Sequence, residues 1–175
     1  TGMPGYPVFI GDTPCAPCAS AENTLAVPLA AGKVCLVMEN GVISTVMIPS
    51  SGEIKAKPAV FGNMFAVYEK GFTGEIYFIK NGTCINADAP LEVDGIAYGS
   101  PCLAQISGKM YTAIVTQSGR FYLWVSGETV PGFPVELGGV FYENAVCAGG
   151  SFFAVSEDAV IHRVNTDCSV LNVGI

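Results

Sequence analysis

The sequence predicts an all-β fold made of tandem four-stranded antiparallel units, and three observations carry that reading. Short apolar runs rich in Val, Ile, Phe and Tyr recur along the chain, separated by glycine-bearing turns. Four similar endings punctuate it: Ser51-Gly52-Glu53-Ile54, Val93-Asp94-Gly95-Ile96, Leu137-Gly138-Gly139-Val140 and Asn172-Val173-Gly174-Ile175, whose last residues lie 42, 44 and 35 positions apart. A period of roughly 40–45 residues marks one supersecondary unit stacked several times. No stretch sustains apolar residues at helical spacing between caps.

One unit, Ala97 to Val140, can be read in full. "SPCLAQI" is a strand, "SGK" a turn, and "MYTAIVT" a second strand of β-branched and aromatic residues. "QSG" is a tight turn, "RFYLWV" the third strand, "SGETVPG" a loop and "FPVEL" the fourth. The other units agree at their second turns. Asn40-Gly41 separates "KVCLVM" from "VISTVMI", and Asn-Gly between apolar runs is a two-residue hairpin signal because both residues tolerate positive φ. Ser156-Glu157-Asp158 does the same between "SFFAV" and "AVIHRV", and Asn81-Gly82 turns the second unit's third strand. "CASAENTLAVPLAAG" is alanine-rich enough for one helical turn before Pro28 interrupts it.

Units of this kind are expected to form a β-propeller of about four blades, or half of a larger ring; a β-sandwich of repeated hairpins is the competing architecture. The expected division is a single domain, residues 1–175, with units at about 13–54, 55–96, 97–140 and 141–175. Residues 1–12 would then be a complementing outer strand that removes an exposed sheet edge. That role follows from a second repetition. "MPGYPVFIGDT" near the start and "VPGFPVELGGV" from Val130 both read Pro-Gly-aromatic-Pro-Val, and "PLEVDGI" is a weaker copy. These segments resemble the outer-strand and crossover region of pyrroloquinoline-quinone-like propeller repeats, and the resemblance extends over most of the chain. The Trp-Asp dipeptide of WD40 blades, the Asp-rich calcium loops of FG-GAP blades and an Ala-Trp docking signature are missing from the sequence.

Composition narrows the function. Half of the 175 residues are hydrophobic and 13% are charged, so the chain packs rather than staying disordered. Its net charge of −7 and its scattered Lys and Arg give no footprint for nucleic acid. No apolar run reaches the roughly 18 residues of a membrane-spanning helix. No basic stretch leads into an apolar one, so no signal peptide is visible. Opening on Thr1, the chain reads as processed, trimmed or cut from something longer.

Catalytic and metal motifs are sparse. His162 is the lone histidine, on a strand where a half-exposed structural role is expected; no Gly-x-Ser-x-Gly supports a hydrolase. No glycine-rich loop ends in Gly-Lys-Ser/Thr, so no phosphate cradle is expected. Asn81-Gly82-Thr83 fits a glycosylation sequon but serves equally as a turn. The seven cysteines include a lone Cys15-x-x-Cys18, and most read as small buried apolar residues. Cys18, Cys102 and Cys147 fall at equivalent unit positions, where three thiols facing one channel could form a soft-metal or disulfide cluster.

The aromatics at loop positions, Phe72, Tyr98, Phe141 and Tyr142, are the candidate recognition surface, because large rigid side chains bind at low entropic cost. Tyr98 and Tyr142 each stand two residues past a unit ending. The expected function is a non-enzymatic binding or assembly module that holds a protein or glycan by the loops of one face. No cofactor or resident metal is implied. The alternatives are a structural subunit of an extracellular filament, surface layer or virion assembled by strand exchange, and a fragment of a propeller enzyme. The expected setting is extracellular or periplasmic, with a homo-oligomer among the expected assemblies.

Overall fold

The computed structural model describes residues 5–49, 52–70 and 73–174, all of them strand, turn or loop. The chain divides into two compact units, one of Thr1–Gly71 with Glu75–Pro90 and one of Phe72–Gly74 with Leu91–Ile175. The architecture is all-β, made of antiparallel four-stranded sheets.

In the first unit, β1 (Ala19–Ala21), β2 (Thr24–Leu29), β3 (Lys33–Met38) and β4 (Ile43–Met47) form one sheet in chain order. The alanine-rich stretch therefore makes β1 and β2 rather than a helical turn. Pro28 sits in β2 without harm, because β1 pairs only as far as Ala26 and needs no amide from position 28. In the next sheet β5 (Glu53–Ile54) and β6 (Ala59–Phe61) both pair with β7 (Met64–Lys70). β7 lies beside β8 (Gly74–Lys80), and β8 pairs with β9 (Thr83–Cys84). Asn81 and Gly82 both adopt positive φ, as a two-residue turn requires. The turn at Asn40-Gly41 is longer: only Gly41 is left-handed, and the Asn40 side chain accepts the Val42 amide instead. The core of this unit lies between its two sheets, around Leu36, Phe65, Tyr77 and Ile79.

The second unit opens with β10 (Leu91–Val93). Its first full sheet holds β11 (Cys102–Ile106), β12 (Lys109–Val115) and β13 (Arg120–Val125). The fourth strand of that sheet is split. β14 (Glu128–Thr129) pairs with one end of β13 and β15 (Val135–Glu136) with the other, and the Pro-Gly-Phe-Pro segment loops out between them. The last sheet runs β16 (Val146–Ala148), β17 (Ser151–Val155), β18 (Val160–Val164) and β19 (Val170–Gly174). Its fourth strand is continuous: β19 pairs along all of β18 and fills the outer edge that residues 1–12 were expected to complete. Phe121, Leu123, Phe133, Phe152 and Val164 form the core of this unit.

The two Pro-Gly-aromatic-Pro segments share one conformation. Gly5 and Gly132 both have positive φ, and both aromatic-Pro peptides, Tyr6-Pro7 and Phe133-Pro134, are cis. Each glycine presses on the turn between the third and fourth strands of a sheet that follows it. A Cβ on Gly5 would lie 2.5 Å from the Asn40 carbonyl oxygen, and one on Gly132 would run into the Cys168 thiol. Residues 5–12 form no strand; Val8 and Ile10 pack on Val27, Leu29, Cys35 and Val37, on the face of the first sheet turned away from the second.

Candidate functional site

The connectors that enter the last two sheets run side by side. Gly99 lies so close to Glu143 and Asn144 that a Cβ would come within 2.5 Å of the Asn144 amide nitrogen. This close approach brings Tyr98 and Tyr142 together, ring centres 5.6 Å apart and planes tilted by 58°, with both side chains about half exposed at 48%. Tilted pairs at this spacing favour one arrangement of two rigid rings. Val140, two residues before Tyr142, lines a shallow cleft of about 340 Å³ with Gly139, Glu157 and Asp158. The amide of Glu157 donates to the Val140 carbonyl at 2.8 Å and fixes the cleft wall.

Phe141 does not belong to this surface. The connector alternates, so Phe141 turns inward where Tyr142 turns out; it is buried and sits edge-on to His162, ring centres 5.2 Å apart. Phe72 lies outside the described residues. Cys102 and Cys147 are neighbours at the inner edges of the last two sheets, and Cys18 is an exposed residue just before β1 in the other unit. Burial, and then the nearby Cys147, pushes the Cys102 thiol up to about 11; burial alone raises Cys147. All seven cysteines are thiols, and among the described residues no three His, Cys, Asp or Glu side chains gather to hold a metal ion.

His162 is buried rather than half-exposed, and it meets a serine and an aspartate. Its Nε2 lies 3.2 Å from Ser156 Oγ, and Ser156 donates to Asp158 Oδ1 at 2.5 Å. The order is wrong for nucleophilic catalysis, in which the histidine stands between the other two. Here the serine stands in the middle and is itself buried. The same turn recurs without a histidine in the preceding sheet. Thr116 Oγ1 lies 3.1 Å from Ser118 Oγ, accepts the Arg120 amide at 3.1 Å and faces the Arg120 carbonyl at 3.4 Å, as Ser156 Oγ faces the Val160 carbonyl of its own hairpin at 3.2 Å. His162 Nδ1 has no hydrogen-bond partner among the described residues.

These hydroxyls expose a pattern that the sequence reading missed. Glu69, Thr116 and Ser156 are buried polar residues at the ends of the second long strands of three sheets. Each fills the space where a connector glycine has no Cβ: Gly52 against Glu69, Gly95 against Thr116 and Gly139 against Ser156. The glycines of the first three repeated endings were the signal, and their reason is this contact; Gly174 of the fourth ending meets nothing within 4 Å. Arg120 is held at the surface by Glu136 and Asp94, whose hydrogen bonds, that of Glu136 first, raise its guanidinium pKa. Tyr122 backs the clamp, donating to the Asp94 carbonyl at 3.0 Å and accepting its amide at 3.1 Å.

No family model matches the chain, and no curated protein matches it. Solved structures do. BBS1N, crystallised in complex with ARL6DN and soaked with mercury, superposes with a TM-score of 0.68 at 14% identity, covering 94% of this chain and 53% of that one. The fold is of the β-propeller type. BamB from Moraxella catarrhalis gives a TM-score of 0.63 at 14% identity over 91% of this chain and 49% of BamB. The computationally designed Ika4 gives 0.53 at 12% identity over 100% of this chain and 98% of Ika4. The chain thus spans about half the length of BBS1N and of BamB. No helix among the described residues is long and apolar enough to cross a membrane.

Proposed function

We propose that this chain is a non-enzymatic binding module that grips a protein partner through the connectors entering its last two sheets, with Tyr98 and Tyr142 as the principal contacts. One observation carries the reading: two half-exposed tyrosines, far apart in sequence, are brought ring to ring by a glycine that allows their connectors to touch. Rigid aromatics lose little entropy on binding, and paired rings offer a broad apolar surface.

The cleft at Val140, two residues before Tyr142, points to the partner's chemistry. Glu157 and Asp158 line it and Glu143 is exposed next to Tyr142, in a chain of net charge −7. A lysine or arginine of the partner would pair with these carboxylates while its stem or guanidinium rests on a tyrosine face. The trio at Ser156 supports the non-enzymatic part of the reading, because it clasps a turn and presents no accessible nucleophile. We assign the blades to the pyrroloquinoline-quinone-like kind on the shared Pro-Gly-aromatic-Pro segments. BBS1N, of like fold, was crystallised with a protein partner, which fits a binding role.

Short arginine-containing and glutamate-containing peptides, titrated while backbone amide signals are followed by NMR, test the proposal. The arginine peptide is expected to shift residues around Tyr98, Tyr142, Glu157 and Asp158, more weakly as salt rises. Tyr98→Ala with Tyr142→Ala should weaken it at least tenfold, or about 1.4 kcal/mol. Equal shifts from both peptides, or an unchanged affinity in the double variant, would refute it.

A further inference from the structure

The connectors that bring Tyr98 to Tyr142 stay together beyond the rings. Gly99 meets Asn144, and Cys102 on β11 then meets Cys147 on β16. Farther along, a Cβ built on Gly150 would rest 3.8 Å from Ile106 Cγ2. Each contact joins residues 44 or 45 apart in sequence, so the two segments run in one direction with one register. β11 and β16 belong to different sheets, and no backbone ladder laces this seam.

Packing at such a seam does not call for sulfur. In the first unit the corresponding seam sets Ala19, Ser20 and Ala21 of β1 beside Ala59, Val60 and Phe61 of β6. At the later seam both cysteines rest against the core of their unit, and each keeps some surface open to a small reagent. The charge of an ionised Cys147 acts on Cys102, and the Cys147 main chain hydrogen-bonds the Cys102 sulfur. A sulfur that reaches its neighbour's main chain is a side-chain rotation away from that neighbour's own sulfur.

We propose that Cys102 and Cys147 form a reversible disulfide that locks the two connectors together beneath Tyr98 and Tyr142, with a small disulfide such as glutathione disulfide as the oxidant. The Cys102 thiol, pushed up to about 11 by burial and then by Cys147, is the weaker nucleophile at neutral pH, so Cys147 attacks first. The Cys147 thiolate bonds to one glutathione sulfur, the glutathione S–S bond breaks, and the other half leaves as a thiolate. Cys102 then loses its proton and attacks Cys147 Sγ, expelling the second glutathione thiolate. Two protons leave the chain and are taken up by the two glutathiones; the protein is oxidised by two electrons and the glutathione disulfide is reduced. The bond holds the tyrosine pair in its bound arrangement before a partner arrives, which lowers the cost of ordering it. That consequence rests on the binding role proposed for Tyr98 and Tyr142; the bond itself does not.

The wild-type chain, incubated with excess glutathione disulfide at mildly alkaline pH, alkylated and digested, tests the bond directly. Peptide mass spectrometry should recover Cys102 and Cys147 predominantly as one cross-linked pair, which dithiothreitol reverses. Cys102→Ser and Cys147→Ser, checked for folding by circular dichroism, should each leave the other sulfur as a glutathione adduct. In the bridged chain the amides of Tyr98, Gly99, Ser100, Glu143, Asn144 and Ala145 should exchange at least tenfold more slowly than in the reduced chain. The arginine peptide should bind the bridged chain severalfold more tightly. Separate glutathione adducts on both sulfurs, bridges from either to another cysteine, or connector amides that exchange alike in both states would each overturn the proposal. A bridge that slows exchange without tightening the peptide supports the lock and counts instead against the tyrosine pair as the partner's contact.

Discussion

The two Pro-Gly-aromatic-Pro segments have the same backbone and different surroundings. Both seat a left-handed glycine on the far turn of a following sheet. The copy at 131–137 is hemmed in on both sides: β15 pairs with β13, the Leu137 amide donates to the Gly119 carbonyl at 2.9 Å, and Phe133 is held in the core. The copy at 5–12 has one covered side. Val8 and Ile10 pack on the first sheet, Tyr6 donates to the Met38 carbonyl at 3.2 Å, and Phe9 stands in solvent. The comparison teaches that the motif specifies its turn and its seat locally, whereas the burial of its aromatic depends on a neighbouring sheet.

The largest expected effect breaks the aromatic side of this comparison. Phe133→Ala removes a core ring and should cost about 3–4 kcal/mol in urea unfolding. Tyr6→Ala, at the matching position, should stay within about 1 kcal/mol, since exposed substitutions rarely exceed that. Equal losses would mean that the two segments are packed alike.

Replacing the glycines separates seat from surroundings. Alanine at either position is held at positive φ, worth roughly 1–2 kcal/mol. Gly132→Ala should appear as a loss of global stability, because its segment is built into the core. Gly5→Ala should instead free the segment 5–13 from the Asn40-Gly41 turn, leave the global transition near wild type, and make that segment cleavable in limited proteolysis. Cleavage of 130–137 in the Gly132 variant with the rest still folded would contradict the difference.

Much of the fold was legible because its signals are local. Glycine turns, β-branched runs and the spaced endings each report on a few neighbouring residues, and they placed the hairpins of the Ala97–Val140 unit. The Asn81-Gly82 turn followed its dipeptide; Asn40-Gly41 did not, because an asparagine side chain can replace a backbone partner. The site was legible only in part. Tyr98 and Tyr142 came from their equal offset past two endings, but their pairing depends on Gly99 meeting Asn144 across 45 residues of chain. Phe141 shares the loop composition of Tyr142 and differs only in the direction in which the connector turns it. His162 looked half-exposed because alternation along one strand does not reveal that Phe141 closes over it.

The smallest expected effect is a pH dependence at the end of the first segment. The Lys33 ammonium, donating to Asp12 at 3.0 Å, and then the Thr13 amide hold the Asp12 carboxyl below its usual range. A depressed carboxyl pKa contributes only while the group is ionised, so this tether is present above the ordinary aspartate value of about 4 and is lost as pH falls through the lower folded value. The Thr13 amide resonance should titrate at that lower pH. A midpoint at or above the ordinary value would remove the tether from the account.

Amide hydrogen exchange tests the one-sidedness of the first copy most directly. The account predicts that Val130 and Leu137, whose amides donate to Leu123 and Gly119, exchange as slowly as the β13 strand they join. Val8, Phe9 and Ile10 should exchange orders of magnitude faster, as exposed backbone does. Protection of Val8–Ile10 equal to that of 130–137 would contradict it, because the first segment would then be held on both sides like the second.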